Sequence, residues 1–123
     1  MTRMKRMPLA IRIKRAYDPP EPTDGFRVLI DRLWPRGIRK EDARLDLWAK
    51  DIAPSPALRQ WYQRDPAKFA EMRNRYRREL EQNRPAVDAL LAAVQGDTLT
   101  LVYASRDTEH NHANVLREFL EKL

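Results

Sequence analysis

The chain has no cysteine, so it forms no disulfide, binds no zinc through thiolate and offers no thiol nucleophile. That absence fits a reducing compartment. No apolar run approaches the ~20 residues that a bilayer crossing requires. The N-terminus, Met1–Arg6, is basic but lacks the apolar stretch of a secretory signal. Met4 and Met7 are alternative starts, and residues 1–9 read as a flexible extension. The cytoplasm is the expected location, with no membrane partner. Internal repeats and low-complexity segments are missing too.

What is present is a chain of 123 residues, the size of one domain. It can bury one continuous core but not two. An apolar share of 42% favours a packed interior over global disorder. The formal charge is +6, and the isoelectric point near 10.0 suggests an anionic partner, either a small molecule or nucleic acid. Arginine far outnumbers lysine, a bias that a genome rich in G and C also produces. Nothing in the composition calls for a cofactor, and the oligomeric state is not legible.

Apolar patterning predicts a first strand at about 10–16, stopped by Asp18-Pro19-Pro20. A second, Phe26-Arg27-Val28-Leu29-Ile30-Asp31, has the three consecutive aliphatics of a strand buried on both faces. Between them a Pro-rich link ends in the turn signal Thr23-Asp24-Gly25. Lys40–Lys50 is ambiguous and reads as a short helical turn near 40–44 followed by an irregular or extended stretch. Ser55 caps a helix with Pro56 at its first position. Asp65-Pro66 starts a longer one through about Asn83, with Phe69, Met72, Tyr76 and Leu80 on one face. Arg84-Pro85 starts another, with Gly96 as its C-cap. Leu99–Tyr103 is a further strand, a neighbour of the second and parallel to it. Asn111–Leu123 closes the chain as a helix. Leu29, Leu101, Leu116 and Phe119 are expected in the core.

The helical layer between the second strand and the last implies a parallel pair with right-handed connection. The first link is too short for a helical crossover. Either the first strand runs antiparallel, or a stretched Pro-rich loop spans the sheet edge. The expectation is a three-layer α/β domain with a small, mostly parallel sheet.

Polar residues crowd where the strands end. Lys14, Arg15, Tyr17 and Asp18 follow the first, Asp31, Arg32, Trp34 and Arg36 the second. Ser105, Arg106, Asp107 and Asn111 follow the last. Ligands of open α/β sheets sit beyond the carboxyl ends of strands. A helix start there favours an anion, and guanidinium groups bind phosphate or carboxylate in two-pronged fashion. Arg15, Tyr17, Arg32, Arg36, Ser105 and Asn111 are therefore candidate anion-binding residues, and Asp31 and Asp107 candidate acid–base groups. Each has a plainer alternative. Asp31 also suits a salt bridge, and adjacent Asp31 and Arg32 face opposite sides of a strand. Asp107 and Asn111 suit helix capping, and Trp34-Pro35-Arg36-Gly37 suits a turn packed by its indole as well as a ligand lip. His110 and His112 are wrongly spaced for one helical face and lack an obvious third ligand, so no metal is expected. His112 suits acid–base catalysis, since imidazole titrates near neutrality, but the surface reading is favoured. Arg73, Arg75, Arg77 and Arg78 resemble a nucleic-acid stripe, but acidic residues four positions away make a solvated, ion-paired face the favoured reading.

Two strings go further. Lys14-Arg15-Ala16-Tyr17-Asp18 and Asp24-Gly25-Phe26-Arg27-Val28-Leu29-Ile30-Asp31-Arg32-Leu33-Trp34-Pro35-Arg36-Gly37 resemble the short YeaO-like branch of the domain of unknown function 488. Asp46–Ser55, Leu58–Trp61 and Asn111-His112-Ala113 are similar to the same branch. The resemblance implies a Rossmann-like fold related to rhodanese and Cys-phosphatases, in which a loop after a strand cradles an anion at a helix start. The longer branch looks as if it carries Cys-His-Arg there. Here Asn111, His112 and Ala113 stand at those positions, so thiol-based phosphatase or sulfurtransferase chemistry does not carry over. Two readings remain: binding or processing of a phosphate-bearing ligand (a nucleotide or nucleic-acid end), or a non-catalytic nucleic-acid or protein interaction module.

Overall fold

The computed structural model describes residues 9–123. The expected extension lies outside these except for Leu9, which packs against the core. Four strands, β1 (Ala10–Arg15), β2 (Phe26–Leu29), β3 (Leu47–Trp48) and β4 (Thr98–Tyr103), form one sheet in the order β1-β4-β2-β3. Every pairing is parallel. β2 and β4 are thus the expected neighbours, Val28 opposite Leu101.

The first connection takes the stretched route. Residues 16–25 must run back along the sheet by the length of β1, about 20 Å at strand rise. An extended link of that size reaches about 33 Å, so no helix is needed. It passes over β4, where the Thr100 hydroxyl donates to the Asp24 carbonyl at 2.6 Å. A 3-10 turn, Pro22–Asp24, ends it at Gly25. A side chain on Gly25 would bring a Cβ within 2.5 Å of the Thr98 carbonyl oxygen, and its φ is +65°.

The long helices all join one core. Leu58 of α2 (Pro56–Tyr62), Met72, Tyr76 and Leu80 of α3 (Phe69–Gln82), and Val87 and Leu90 of α4 (Arg84–Ala93) pack with α5 (His112–Glu121). They meet the sheet face carrying Val28, Leu99, Leu101 and Tyr103. The opposite face carries Arg27, Leu29, Thr100 and Val102, all buried. It is covered by the proline-rich link and by the segment holding α1 (Lys40–Ala43), whose Ala43 carbonyl accepts from Arg27 at 2.9 Å. The result is the expected three-layer α/β arrangement, with one layer thin. No helix among the described residues is long and apolar enough to cross a membrane.

A charged cluster sits inside that thin layer. Arg27 donates to Asp24 Oδ2 at 2.7 Å, and Lys14 lies 3.1 Å from Oδ1; Asp24 and Arg27 are both buried. Burial alone would raise the Asp24 pKa, but the Glu21 amide, Lys14 and Arg27 outweigh it and hold the carboxyl below its ordinary value.

Two details differ from the sequence reading. Gly96 does not cap α4, which ends at Ala93 with Val94 extended; Gly96 turns the chain into β4 at φ 85°. Phe119 is only partly buried, whereas Leu29, Leu101 and Leu116 are fully so. The inward stripe of α5 runs through Val115, Leu116 and Leu120, which leaves Phe119 at its flank.

Candidate functional site

The parallel strands deliver their last residues to one edge, so segments distant in sequence meet there. Arg15 Nε donates to the Ser105 carbonyl at 2.9 Å, and its guanidinium carbon lies 5.2 Å from the Tyr17 ring centroid. Tyr17 in turn donates its hydroxyl to the Arg36 carbonyl at 2.9 Å. Arg15, Tyr17, Arg36 and Ser105 are therefore joined. The joining of Arg36 is through backbone, and its side chain is exposed.

The loop from β4 into α5 satisfies its own backbone. The Ser105 hydroxyl accepts from the Asp107 amide at 3.2 Å. The Asp107 carboxylate accepts from the amides of Glu109 (2.9 Å) and His110 (2.8 Å), and its other oxygen is 3.0 Å from His110 Nδ1. These contacts, the His110 amide foremost, hold the Asp107 pKa below its ordinary value. Asn111 is buried and is the N-cap of α5: its carbonyl oxygen accepts from the Asn114 amide at 2.9 Å, while its Nδ2 donates to the Asp107 carbonyl. Where the resemblance implies an anion cradle, the carboxylate of Asp107 already receives the loop amides.

Asp31 reaches the same loop from β2. Its Oδ2 accepts from the Ala104 amide at 3.0 Å. Its Oδ1 lies 2.9 Å from His112 Nε2, but with Nε2 as donor that N–H is aligned on the Ile30 carbonyl at 3.1 Å. Oδ1 is left close to the ring nitrogen with no aligned donor. The His112 ring also packs edge-on against Tyr76. His112, read from sequence as a surface residue, is thus mostly covered and ties the end of β2 to the start of α5. Its position directly after a helix-capping Asn was the available signal. His110 and His112 go separate ways, one to Asp107 and the other to Asp31 and Ile30.

Arg32 stands apart. Its NH2 group contacts the carbonyls of Ala53 (3.3 Å) and Pro54 (3.5 Å), beside a cleft of 340 Å³ lined by Ser55, Tyr76 and Glu79 among others. These contacts turn Arg32 toward the start of α2 and away from the Ser105 carbonyl that Arg15 meets. Burial raises the Tyr103 phenol pKa at the base of the rim. Asp18 and Asp107 add to that effect, and Arg15 opposes it.

Two of the four arginines of the α3 stripe are ion-paired. Arg75 Nε meets Glu71 at 2.9 Å and Arg73 pairs with Glu118 of α5. Glu79 does not serve Arg75; it accepts from the Ser55 amide and hydroxyl and braces the start of α2.

A family described as the inactive DUF488-N3 subclade matches residues 10–123. The uncharacterized protein YeaO of Escherichia coli (strain K12) is 43% identical over 113 residues, covering 92% of this chain and 98% of YeaO. The uncharacterized proteins Mb3100c of Mycobacterium bovis and Rv3073c of Mycobacterium tuberculosis (strain H37Rv) are each 43% identical over 110 residues, covering 89% of this chain and 92% of theirs. No solved structure matches. On a match spanning the whole described domain, the chain belongs to the DUF488 family and falls in its inactive DUF488-N3 subclade.

Proposed function

We propose that the chain is a non-catalytic module that binds a phosphate-bearing ligand on the open rim at the strand ends. The observation that carries this reading is the filled cradle: Asp107 takes the Glu109 and His110 amides, and Asn111 takes the Asn114 amide. A ligand anion at the helix start would face a resident carboxylate. The donors left over are on the rim. Among the described residues, no protein acceptor meets the side chains of Arg36 and Arg106, and Arg15 uses only Nε. Guanidinium groups with free donors suit phosphate oxygens.

The Asp31–His112 pair is the natural place to look for acid–base chemistry. Its contacts with the Ala104 amide and the Ile30 carbonyl fit a brace between β2 and α5 instead. The description of the subclade as inactive agrees with that reading.

Thermal melts in a titration with inorganic pyrophosphate at low ionic strength test the proposal. A ligand bound only by the native state raises the melting temperature with concentration. The wild-type chain should show that rise, and a variant with Arg15→Gln and Arg36→Gln should lose it. No rise in the wild type, or an equal rise in the variant, overturns the reading.

A further inference from the structure

Among the described residues, Tyr17 is the one exposed aromatic, at 47%. Exposure usually goes with mobility, but this ring is held at two points. Its hydroxyl is tied to the Arg36 carbonyl at 2.9 Å, and Arg15 lies against the ring at 5.2 Å. Fixing a side chain costs rotamer entropy, here with little burial in return. What the arrangement provides is a held aromatic surface facing solvent, with the Arg15 guanidinium against it. Pre-organised aromatic groups bind planar partners with little further ordering cost.

The flanking charges narrow the partner. Arg15, Arg36 and Arg106 present cationic nitrogens without protein acceptors. Asp18, exposed beside Tyr17, and Asp107 interrupt the cations. Such a rim suits a few phosphates, not the dense double row of a duplex. In a duplex, moreover, the faces of the bases are stacked on one another, whereas a single strand offers them to aromatic side chains.

We propose that Tyr17 is a base-stacking platform and that the partner of the rim is single-stranded nucleic acid. A nucleobase lies on the Tyr17 ring, and neighbouring phosphates meet Arg15 and Arg36. This rests on the anion-binding reading above and adds the class of partner.

Fluorescence anisotropy of the full chain with a dye-labelled oligothymidylate, set against an abasic strand of the same length, separates the two claims. Both strands carry the same phosphates; only one carries bases. Base–aromatic stacking should make oligothymidylate bind roughly 5- to 150-fold more tightly. Tyr17→Ala should abolish that gap, as should Tyr17→Leu, which keeps apolar bulk without a π face. Tyr17→Phe, which keeps the π face but loses the tie to Arg36, should retain part of it. Arg36→Gln with Arg106→Gln should weaken both strands alike. With about two phosphates engaged, affinity should fall with salt at a log–log slope of about −1.4. Equal, salt-sensitive binding of both strands, unchanged by Tyr17→Ala in a variant that melts like the wild type, overturns the stacking proposal and leaves the anion reading standing. If neither strand binds, the stacking proposal falls and nucleic acid is not the partner of the cationic rim, whatever the pyrophosphate titration shows.

Discussion

At the scale of single residues, Asp24 shows how a charge can hold a loop. It is 3% exposed, yet Lys14, Arg27 and the Glu21 amide meet its carboxylate. Removing one partner of a buried pair leaves the other uncompensated, at a cost of about 3–5 kcal/mol. Asp24→Ala should show a loss of that order in urea denaturation. Because the folded pKa is lowered, this contribution is complete above the ordinary carboxylate value near 3.8 and disappears as pH falls through the lower folded value. Acid unfolding of the variant should therefore lack the component that the wild type loses in that range. Asp24 was legible only as part of a turn signal, since a turn residue gives no hint of burial. Arg15, Tyr17, Asp107 and Asn111 were legible as strand-end polar residues. Capping was the plainer alternative for Asp107 and Asn111, and their contacts follow it; sequence could not choose it, because a carboxylate that receives backbone amides looks the same there as one that awaits a ligand.

At the scale of elements, the long periodic segments were readable because burial of one helix face imposes its spacing on the sequence. β3 was not. It pairs over Val28–Leu47 and Leu29–Trp48 only, and so short a strand carries no period of its own. The end of α4 was misplaced because a glycine with positive φ serves a strand entry as well as a helix end. The direction of β1 depended on whether residues 16–25 could cross the sheet without a helix, which is settled by tertiary anchoring at Thr100 and Asp24. Gly25 is the tightest point of that crossing. Gly25→Ala should destabilise the fold by at least about 1–3 kcal/mol, the cost of a strained backbone, with the contact to Thr98 adding to it. A melting temperature equal to that of the wild type would show that the link shifts freely.

At the scale of the whole molecule, the net charge of +6 is a poor guide to where a partner binds. The arginines of α3 are the densest basic run, but Arg73 and Arg75 are ion-paired. Arg77→Gln with Arg78→Gln should leave oligonucleotide affinity within about twofold, since long-range surface charge is screened over roughly 8 Å at physiological salt. A tenfold loss in the same anisotropy measurement would move the interface from the strand ends to this helix.

The strand order has a consequence for how the chain is made. β4, the last strand in sequence, lies between β1 and β2. Among the described strands β1 pairs with β4 alone; it also packs against α5, and Lys14 and Arg12 reach the 21–24 link. β1 thus has no strand partner until nearly all of the residues that follow it have been synthesised. Loop closure over such separations is slow, and unpaired edges invite association with other chains. A fragment ending before Thr98 lacks the strand that unites its sheet, so it should be unfolded and readily cut by protease instead of forming a smaller version of the protein.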